Sequence, residues 1–284
     1  MNYQAFYINL ERSVDRRARM QSLLAALPGE IPVSRFPAIE LAEGRGGLSA
    51  AELGCYLSHL GVLERAGDAR HTLILEDDVV FSSEITAGLQ AIHAVLDQGQ
   101  FDLLFLGQTV QYDDIGLHRR LISAAAQLDT GSDSDHFVLM PARATYRWGS
   151  FAYVVGRHAI ARLAQGVRAL TSAEPQMQID RVFRAFIGQE RIRAAVLFPY
   201  VVGVKMDLPS TLQARGLAGE HLRHSALVGN YLKGAMPSNE REKWRQLIDD
   251  NPDPRALAVA RRVYERLVEP TRSARKAAGP EDPT

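Results

Sequence analysis

The sequence predicts an α/β fold in which a mainly parallel sheet is flanked by helices. Short apolar runs of strand length, such as residues 5–10 and 101–107, alternate with segments whose apolar residues recur at helical spacing. This alternation over most of the first 200 residues is typical of layered folds with a mainly parallel sheet. In such sheets ligands lie beyond the carboxyl ends of the strands, so the residues that follow each apolar run are candidates for a functional site.

The first part of the chain contains clear element signals. Residues 5–10 are apolar and aromatic over a strand length, and a helix with apolar residues at helical spacing follows until a Pro-Gly pair ends it. A second strand is expected over residues 31–39. Ser49 and Glu52 form a capping-box pattern at the start of the next helix, which we expect to end at Gly67.

The same alternation continues to about residue 202. The remaining expected elements are a strand that begins at residue 71 and runs into three carboxylates, a helix over 85–96, a strand over 101–107, a strand over 150–156, helices over 157–170 and 179–187, and a strand over 193–202. Between residues 108 and 147 the pattern weakens into polar turns and short β-like pieces.

The C-terminal part differs in character. We expect residues 1–215 to form the α/β domain and residues 216–270 to form a helical extension, with helical patterns near 240–250 and 254–268. Residues 271–284 are too polar to pack and are expected to be disordered.

Composition and charge narrow the function classes. The 33 basic and 33 acidic residues balance, so no overall field favours nucleic acid as a partner. Cys55 is the only cysteine, which suits a reducing compartment. The N-terminus resembles a first strand rather than a signal peptide, and the longest apolar stretch is interrupted by Pro199 and is shorter than the roughly 20 residues that span a bilayer. We therefore expect a cytoplasmic protein.

Three consecutive carboxylates, Glu76, Asp77 and Asp78, follow an apolar strand. If the backbone stays extended, Glu76 and Asp78 lie on one side and Asp77 on the other. Two carboxylates on one side can hold Mn²⁺ or Mg²⁺ and leave coordination positions for phosphate oxygens. The alternative is an acidic turn solvated at the surface.

A second polar group follows the first strand. Asn9 and Leu10 end that strand, and Arg12, Arg16 and Arg17 come within the next two helical turns. Guanidinium groups beside a helix start can pair with a diphosphate through their forked donors. The alternative is an ordinary solvated helix face.

Taken together, these segments resemble glycosyltransferase family 25 in order and spacing. The matching residues are Tyr7-Ile8-Asn9-Leu10 with Arg12 and Arg16, then Gly54-Cys55-x-x-Ser58-His59, then Leu73 to Asp78, and more loosely Gly149 to Leu163 and Gln178-Ile179-Asp180. The resemblance covers about the first 107 residues and resumes at residue 149. One departure is that Pro175 lies five residues before Asp180, whereas the family often has a proline just before the corresponding hydrophobic-Asp pair.

The resemblance implies a GT-A-like nucleotide-sugar fold, a UDP-sugar donor that is usually UDP-galactose, and inversion at the anomeric carbon. It also implies that Glu76-Asp77-Asp78 is the family's metal-binding acidic motif, in which Asp78 holds Mn²⁺ or Mg²⁺ together with Glu76 or Asp77. We expect the donor site to include the following residues: Asn9, Leu10, Arg12, Arg16, Ser58, His59 and Asp77. Residues 108–147 would then face the acceptor, a saccharide or glycolipid of the lipooligosaccharide type. Cys55 is interpreted as a small buried hydrophobe.

Asp180 begins a predicted helix and is the candidate catalytic base. Asp78 is the other residue expected to be catalytic. Inverting transfer needs a carboxylate that accepts the proton of the attacking hydroxyl. The alternative role of Asp180 is to complement the helix dipole. Glu174 and Asp207 are the reserve candidates for the base.

Other functions are also compatible with these residues. A metal-dependent nucleotidyltransferase also places acidic residues at strand ends, and a catalytically inactive sugar-nucleotide-binding or scaffold protein would keep the pocket. The basic amphipathic pattern over residues 254–268 can either pack on the domain or lie on the inner face of the cytoplasmic membrane as a peripheral contact.

Overall fold

A computed structural model describes residues 1–109, 137–172 and 177–204, and between the first two ranges the single residues 114, 117, 120, 121 and 124. The strands are β1 (Tyr3–Asn9), β2 (Val33–Pro37), β3 (His71–Glu76), β4 (Val79–Phe81), β5 (Leu103–Phe105), β6 (Val138–Pro141), β7 (Ala152–Val155), β8 (Ala194–Phe198) and β9 (Val202–Val204). The helices are α1 (Val14–Leu24), α2 (Ala50–Arg65), α3 (Ile85–Asp97), α4 (Ala142–Thr145), α5 (Ile160–Ser172) and α6 (Ile179–Gly188).

Seven of these strands form one sheet in the order β2-β1-β3-β7-β5-β8-β6. Strands β2, β1, β3, β5 and β8 run in the same direction, whereas β7 and β6 run antiparallel to their neighbours. Strands β4 and β9 pair separately as an antiparallel ladder. The predicted α/β class with a mainly parallel sheet is therefore confirmed. The expected helical extension and polar tail lie outside the described residues.

Each face of the sheet carries its own hydrophobic core. Along β1, Phe6 and Ile8 pack on the side covered by α2, α5 and α6. The alternate residues Tyr3, Ala5 and Tyr7 pack on the side covered by α1 and α3. This alternation follows from the period of two along a strand, and it determines which helices the polar residues at the strand ends can reach.

Helix α2 is positioned by backbone contacts at its start. The capping box of Ser49 and Glu52 is present as the sequence predicts, and the helix ends at Arg65. Gly54 lies so close to the segment after β2 that a Cβ atom there would be 2.4 Å from the carbonyl oxygen of Ile39. Ser58 is fully buried, and its Oγ accepts from the N–H of Ile39 at 2.8 Å. The motif around Gly54 and Ser58 therefore docks α2 against the sheet.

Candidate functional site

The candidate site lies where β1 and β3 end side by side. The two strands are parallel, with Ile8 opposite Glu76, so Asn9 and Asp77 leave the sheet at the same edge. The alternation of the strand continues for one more residue. Glu76 lies close to His59 on α2, whereas Asp77 contacts Arg16 on α1. Asp77 and Asp78 nevertheless belong to the turn that follows β3.

Asp77 is held by internal partners. Its carboxylate accepts from Asn9 Nδ2 at 2.7 Å and forms an ion pair with Arg16 Nη1 at 2.7 Å, and both ion-pair side chains are nearly buried. The guanidinium of Arg19 donates to the backbone carbonyls of Asp77 and Val79. These contacts fix the turn that carries the acidic residues. The sequence did not single out Arg19.

Glu76 faces a buried polar pair. Its Oε1 accepts from Ser150 Oγ at 3.1 Å and lies 3.4 Å from His59 Nε2. The other ring nitrogen of His59 lies 2.8 Å from the hydroxyl of Tyr153. His59 and Tyr153 have no solvent exposure, so the imidazole is fixed in place and aims one nitrogen at the carboxylate. Ser150 is a further contact that sequence reasoning missed.

Asp78 is the residue of the acidic turn whose carboxylate is not fully hydrogen-bonded. Its Oδ1 is buried and has no hydrogen-bond partner among the described residues. Burial raises the pKa of Asp78 to about 7, with further contributions from the charges of Glu76 and Asp77. A divalent cation would offset this repulsion, and carboxylate oxygens are the ligands that Mn²⁺ and Mg²⁺ prefer. Glu76 and Asp78 therefore fit the implied metal.

Cys55 brings sulfur next to the same site. Ligand atoms of Cys55, His59 and Glu76 lie within 4.8 Å of one another. Cys55 is half-buried and packs against the hydrophobic core, in agreement with its interpretation as a small hydrophobic residue. Burial raises the pKa of its thiol well above the ordinary value, and the charge of Glu76 raises it further. Mn²⁺ and Mg²⁺ prefer oxygen ligands to the softer sulfur, so the oxygen pair of Glu76 and Asp78 is favoured.

A second group of possible ligands, His71, His93 and Asp97, lies at the opposite end of β3, about 17 Å along the strand at the usual rise per residue. The backbone N–H of Arg157 donates to His71 Nδ1 at 3.1 Å, so Nε2 carries the ring proton. That proton points to Asp97 at 3.0 Å. The group is thus a hydrogen-bonded network, and we assign it no ligand.

Asp180 approaches the acidic turn from another part of the chain. It is the second residue of α6, and its carboxylate accepts from the backbone N–H of Arg181 at 2.7 Å and from that of Gly149. Burial raises the pKa of Asp180, and the negative charge of Glu76 adds to the shift. The fold therefore brings Asp180 close enough to Glu76 for their charges to interact, and Glu76 in turn interacts with Asp78. The reserve candidates Glu174 and Asp207 lie outside the described residues.

Most residues of the site, though not those of β1 and α1, fall within one family match. The model of "Glycosyltransferase family 25 (LPS biosynthesis protein)" matches residues 40–182, half of the chain, and this range includes His59, the acidic turn and Asp180. The chain belongs to glycosyltransferase family 25. The resemblance seen in the sequence is confirmed.

Named relatives match a shorter region of this family 25 protein. Human procollagen galactosyltransferase 2 is 31% identical in an alignment of 128 positions that covers 37% of this chain and 20% of the relative. A glycosyltransferase 25 family member of Drosophila pseudoobscura pseudoobscura is 26% identical in an alignment of 127 positions that covers 36% of this chain and 20% of the relative. The match therefore spans about a fifth of the length of these relatives.

Two solved structures show more distant likenesses. A galactosyltransferase LgtC, in complex with donor and acceptor sugar analogs, has a TM-score of 0.37 and 12% identity, covering 84% of this chain and 99% of that one. Mouse xyloside xylosyltransferase 1 has a TM-score of 0.33 and 12% identity, covering 66% and 68%.

The remaining expected donor residues of this family 25 protein differ in exposure. Leu10 is half-buried directly after Asn9. Arg12 is exposed and forms an ion pair with Glu40. Ser58 is enclosed in α2, where it also donates to the carbonyl of Gly54 at 2.6 Å. Within the described part of the chain, no helix is long and apolar enough to cross a membrane.

Proposed function

We propose that this glycosyltransferase moves a sugar, most readily galactose, from a UDP-sugar to a saccharide hydroxyl of a lipooligosaccharide or related glycan, with inversion at the anomeric carbon. The observation that carries the proposal is that Asp180 interacts with Glu76, the carboxylate that also interacts with Asp78, within the region that matches the family. A GT-A-like donor site at the carboxyl ends of β1 and β3 is consistent with this arrangement.

We assign the metal-binding role to Glu76 and Asp78. A bound Mn²⁺ or Mg²⁺ would supply positive charge to the donor diphosphate and to the departing UDP. Asp77 positions the turn through Arg16 and Asn9, and His59 holds the orientation of Glu76.

The donor-binding role would be shared by groups around this turn. Arg12 is exposed and can exchange Glu40 for a phosphate oxygen. Asn9, Leu10 and Arg16 shape the end of β1 beneath the donor, and Ser58 supports the site from α2.

Asp180 is the proposed general base. Inverting transfer by a single displacement needs a carboxylate that takes the proton from the acceptor hydroxyl as its oxygen attacks the anomeric carbon. The raised pKa of Asp180 makes it a stronger base than an exposed aspartate, while the N–H groups of Gly149 and Arg181 keep its carboxylate oriented. Activity should therefore fall as the pH is lowered through this raised pKa.

The first prediction tests this assignment with Asp180→Asn in the full chain. Transfer from UDP-galactose should fall by roughly 100-fold or more, whereas the donor Kd should change little, because a general base acts in the transition state. Asp15→Asn, an exposed aspartate on α1, is the matched control and should keep full activity. Near-normal turnover of Asp180→Asn would move the base to Glu174 or Asp207.

The products of the same assay separate the alternatives. Sugar transfer releases UDP, whereas a nucleotidyltransferase would attach the nucleotide to its substrate. A scaffold protein would bind the donor, shift the Tm and release nothing.

We also propose that the glycosyltransferase domain spans residues 1–215 and that residues 216–270 form a helical extension, followed by a disordered tail over 271–284. In this proposal the protein is cytoplasmic, and the basic helix over 254–268 touches an anionic membrane that carries the acceptor.

A further inference from the structure

An aromatic and cationic patch lies beside Asp180. The guanidinium carbons of Arg181 and Arg184 lie 5.3 Å and 5.5 Å from the centre of the Trp148 ring. The two arginines are three residues apart on α6, so they share one face of the helix. Both are exposed, and Trp148 is half-buried. We call these three residues the Trp148 patch.

The backbone holds the Trp148 patch next to the proposed base. The carbonyl of Trp148 accepts from the N–H of Thr109 at 2.9 Å. The next residue, Gly149, has a φ of 103° and donates its N–H to Asp180. A Cβ atom at Gly149 would lie 2.8 Å from the ring of Phe151, so only glycine suits this position. A ligand group on the patch would thus lie close to the hydroxyl that Asp180 deprotonates.

The positive charges of the patch lack an ion-pair partner in the part of the chain that the structure describes. Among those residues, no carboxylate oxygen lies within 4 Å of the guanidinium of Arg181 or Arg184. Nearby arginines differ, because Arg143 pairs with Glu190 and Arg147 pairs with Asp114. Asp180 and Glu52 attract Arg181 without forming an ion pair with it. The two guanidinium groups still repel each other across one ring, and an anion between them would reduce that repulsion.

We propose that Arg181 and Arg184 bind an anionic sugar unit of the acceptor, with Trp148 holding the two guanidinium groups in place. Forked guanidinium donors match the oxygen pairs of carboxylates and phosphates. The indole orients both groups through cation–π contacts, which reduces the entropy lost on binding. This inference rests on the proposed function, because it names the class of acceptor: a saccharide that carries a carboxylate or a phosphate near the reacting hydroxyl.

The test measures binding of three probes to the full chain by ligand-observed NMR at constant ionic strength: glucose, glucuronic acid and glucose 6-phosphate. At least one acidic probe should bind about tenfold more tightly than glucose, the usual effect of charge-assisted hydrogen bonds. The acidic probe that binds more tightly shows whether the site prefers a carboxylate or a phosphate. The Arg181→Gln/Arg184→Gln variant should lose this preference.

Arg191→Gln is the matched control, since its guanidinium lies 4.1 Å from the Phe186 ring, away from Trp148. It should keep the preference for the acidic probe. Trp148→Leu, which retains both charges, should lose part of it. The single variants Arg181→Gln and Arg184→Gln each remove one positive charge at an exposed position and should weaken the preference. They replace the double variant in the test if that variant is unstable.

Equal affinities for the three probes would overturn the proposal. So would a preference that survives in the double variant, because other cations would then be responsible. A transfer assay separates this outcome from failure of the proposed function. Equal transfer to neutral and acidic acceptors would contradict the anion site but not the transfer activity. Binding of the acidic probe without any sugar transfer would contradict the transfer activity but not the anion site.

Discussion

Asp77 and Asp78 are neighbours in the chain with opposite electrostatic surroundings. Asp77 has Arg16 and Asn9 as direct partners. Asp78 has a buried oxygen without a partner in the described structure, and burial together with the charges of Glu76 and Asp77 raises its pKa. The first carboxylate therefore stabilises the fold, and the second costs stability in the metal-free protein.

The unfavourable burial of the ionised Asp78 leads to a prediction that depends on pH. In the unfolded chain Asp78 ionises near its ordinary pKa of 3.8, whereas in the folded metal-free protein its pKa is about 7. The folded state binds the proton more tightly, so this group lowers stability as the pH rises from about 4 to 7. Asp78→Asn should increase the free energy of unfolding at pH 8 by roughly 1–3 kcal/mol and change it little at pH 4.

Denaturant unfolding at the two pH values, with EDTA present, checks this prediction. The same variant should lose the increase in Tm that Mn²⁺ gives the unsubstituted protein. Asp15→Asn, at an exposed position, is the control and should be neutral at both pH values. A loss of stability in Asp78→Asn at pH 8 would contradict the assignment.

Substitution of Asp77 should lower the stability of the protein, the opposite of the effect expected at Asp78. Asp77→Ala removes a nearly buried ion-pair partner from Arg16 and an acceptor from Asn9. We expect the free energy of unfolding to fall by roughly 2–4 kcal/mol. Glu40→Ala, which breaks the exposed pair with Arg12, should cost less than about 1 kcal/mol. Similar losses in the two variants, measured by denaturant unfolding, would show that burial of the Arg16 pair does not matter.

At the scale of elements, the docking of α2 determines where His59 lies. Gly54 allows the helix to approach the backbone of Ile39, and Ser58 forms a hydrogen bond to the same residue. The next residue, His59, lies between Tyr153 and Glu76. A shift of α2 would therefore move the imidazole away from the carboxylate.

Substitution of two helical glycines tests this docking. Gly54→Ala places a methyl group 2.4 Å from the Ile39 carbonyl oxygen, so it should destabilise the protein by roughly 1–3 kcal/mol and reduce activity. Gly188→Ala, with no atom within 4 Å of the added methyl, should be neutral or stabilise by up to about 1 kcal/mol. If both variants have the same Tm, the close approach at Gly54 is not important.

At the scale of the whole molecule, the sheet joins two parts of the acidic site. Strands β1 and β3 carry Asn9 and the acidic turn, while β7 lies beside β3 and follows the segment with Gly149 and Ser150. The last described strand, β9, pairs with β4 directly after the acidic turn and ends at Val204. All described elements thus precede the proposed boundary at residue 215.

A chain that ends at residue 215 tests both this boundary and the proposed membrane contact. It should unfold cooperatively, keep the Mn²⁺-dependent increase in Tm and turn over a soluble acceptor, because every described strand is retained. It should not co-sediment with anionic liposomes that bind the full chain at low salt. Equal sedimentation would remove the membrane contact, and failure to fold would show that the extension packs on the domain.

The sequence by itself determined the α/β class, most helices and strands, the capping box at Ser49 and the family. These signals are local, because the period of apolar residues and the order of short motifs can be found without knowing which strands are neighbours. The resemblance also selected the acidic turn and Asp180 as candidates. Their roles in the reaction stay predictions.

Only the tertiary structure decided how the candidates are paired. Arg16 binds Asp77, and Ser58 docks a helix. Burial and the charge of Glu76 raise the pKa of Asp180. The physical reason is that these residues are distant in sequence and meet only through the strand order, the antiparallel placement of β7 and the packing of helices on each face. Burial and partner choice, which set the charge of each carboxylate, are properties of that assembly.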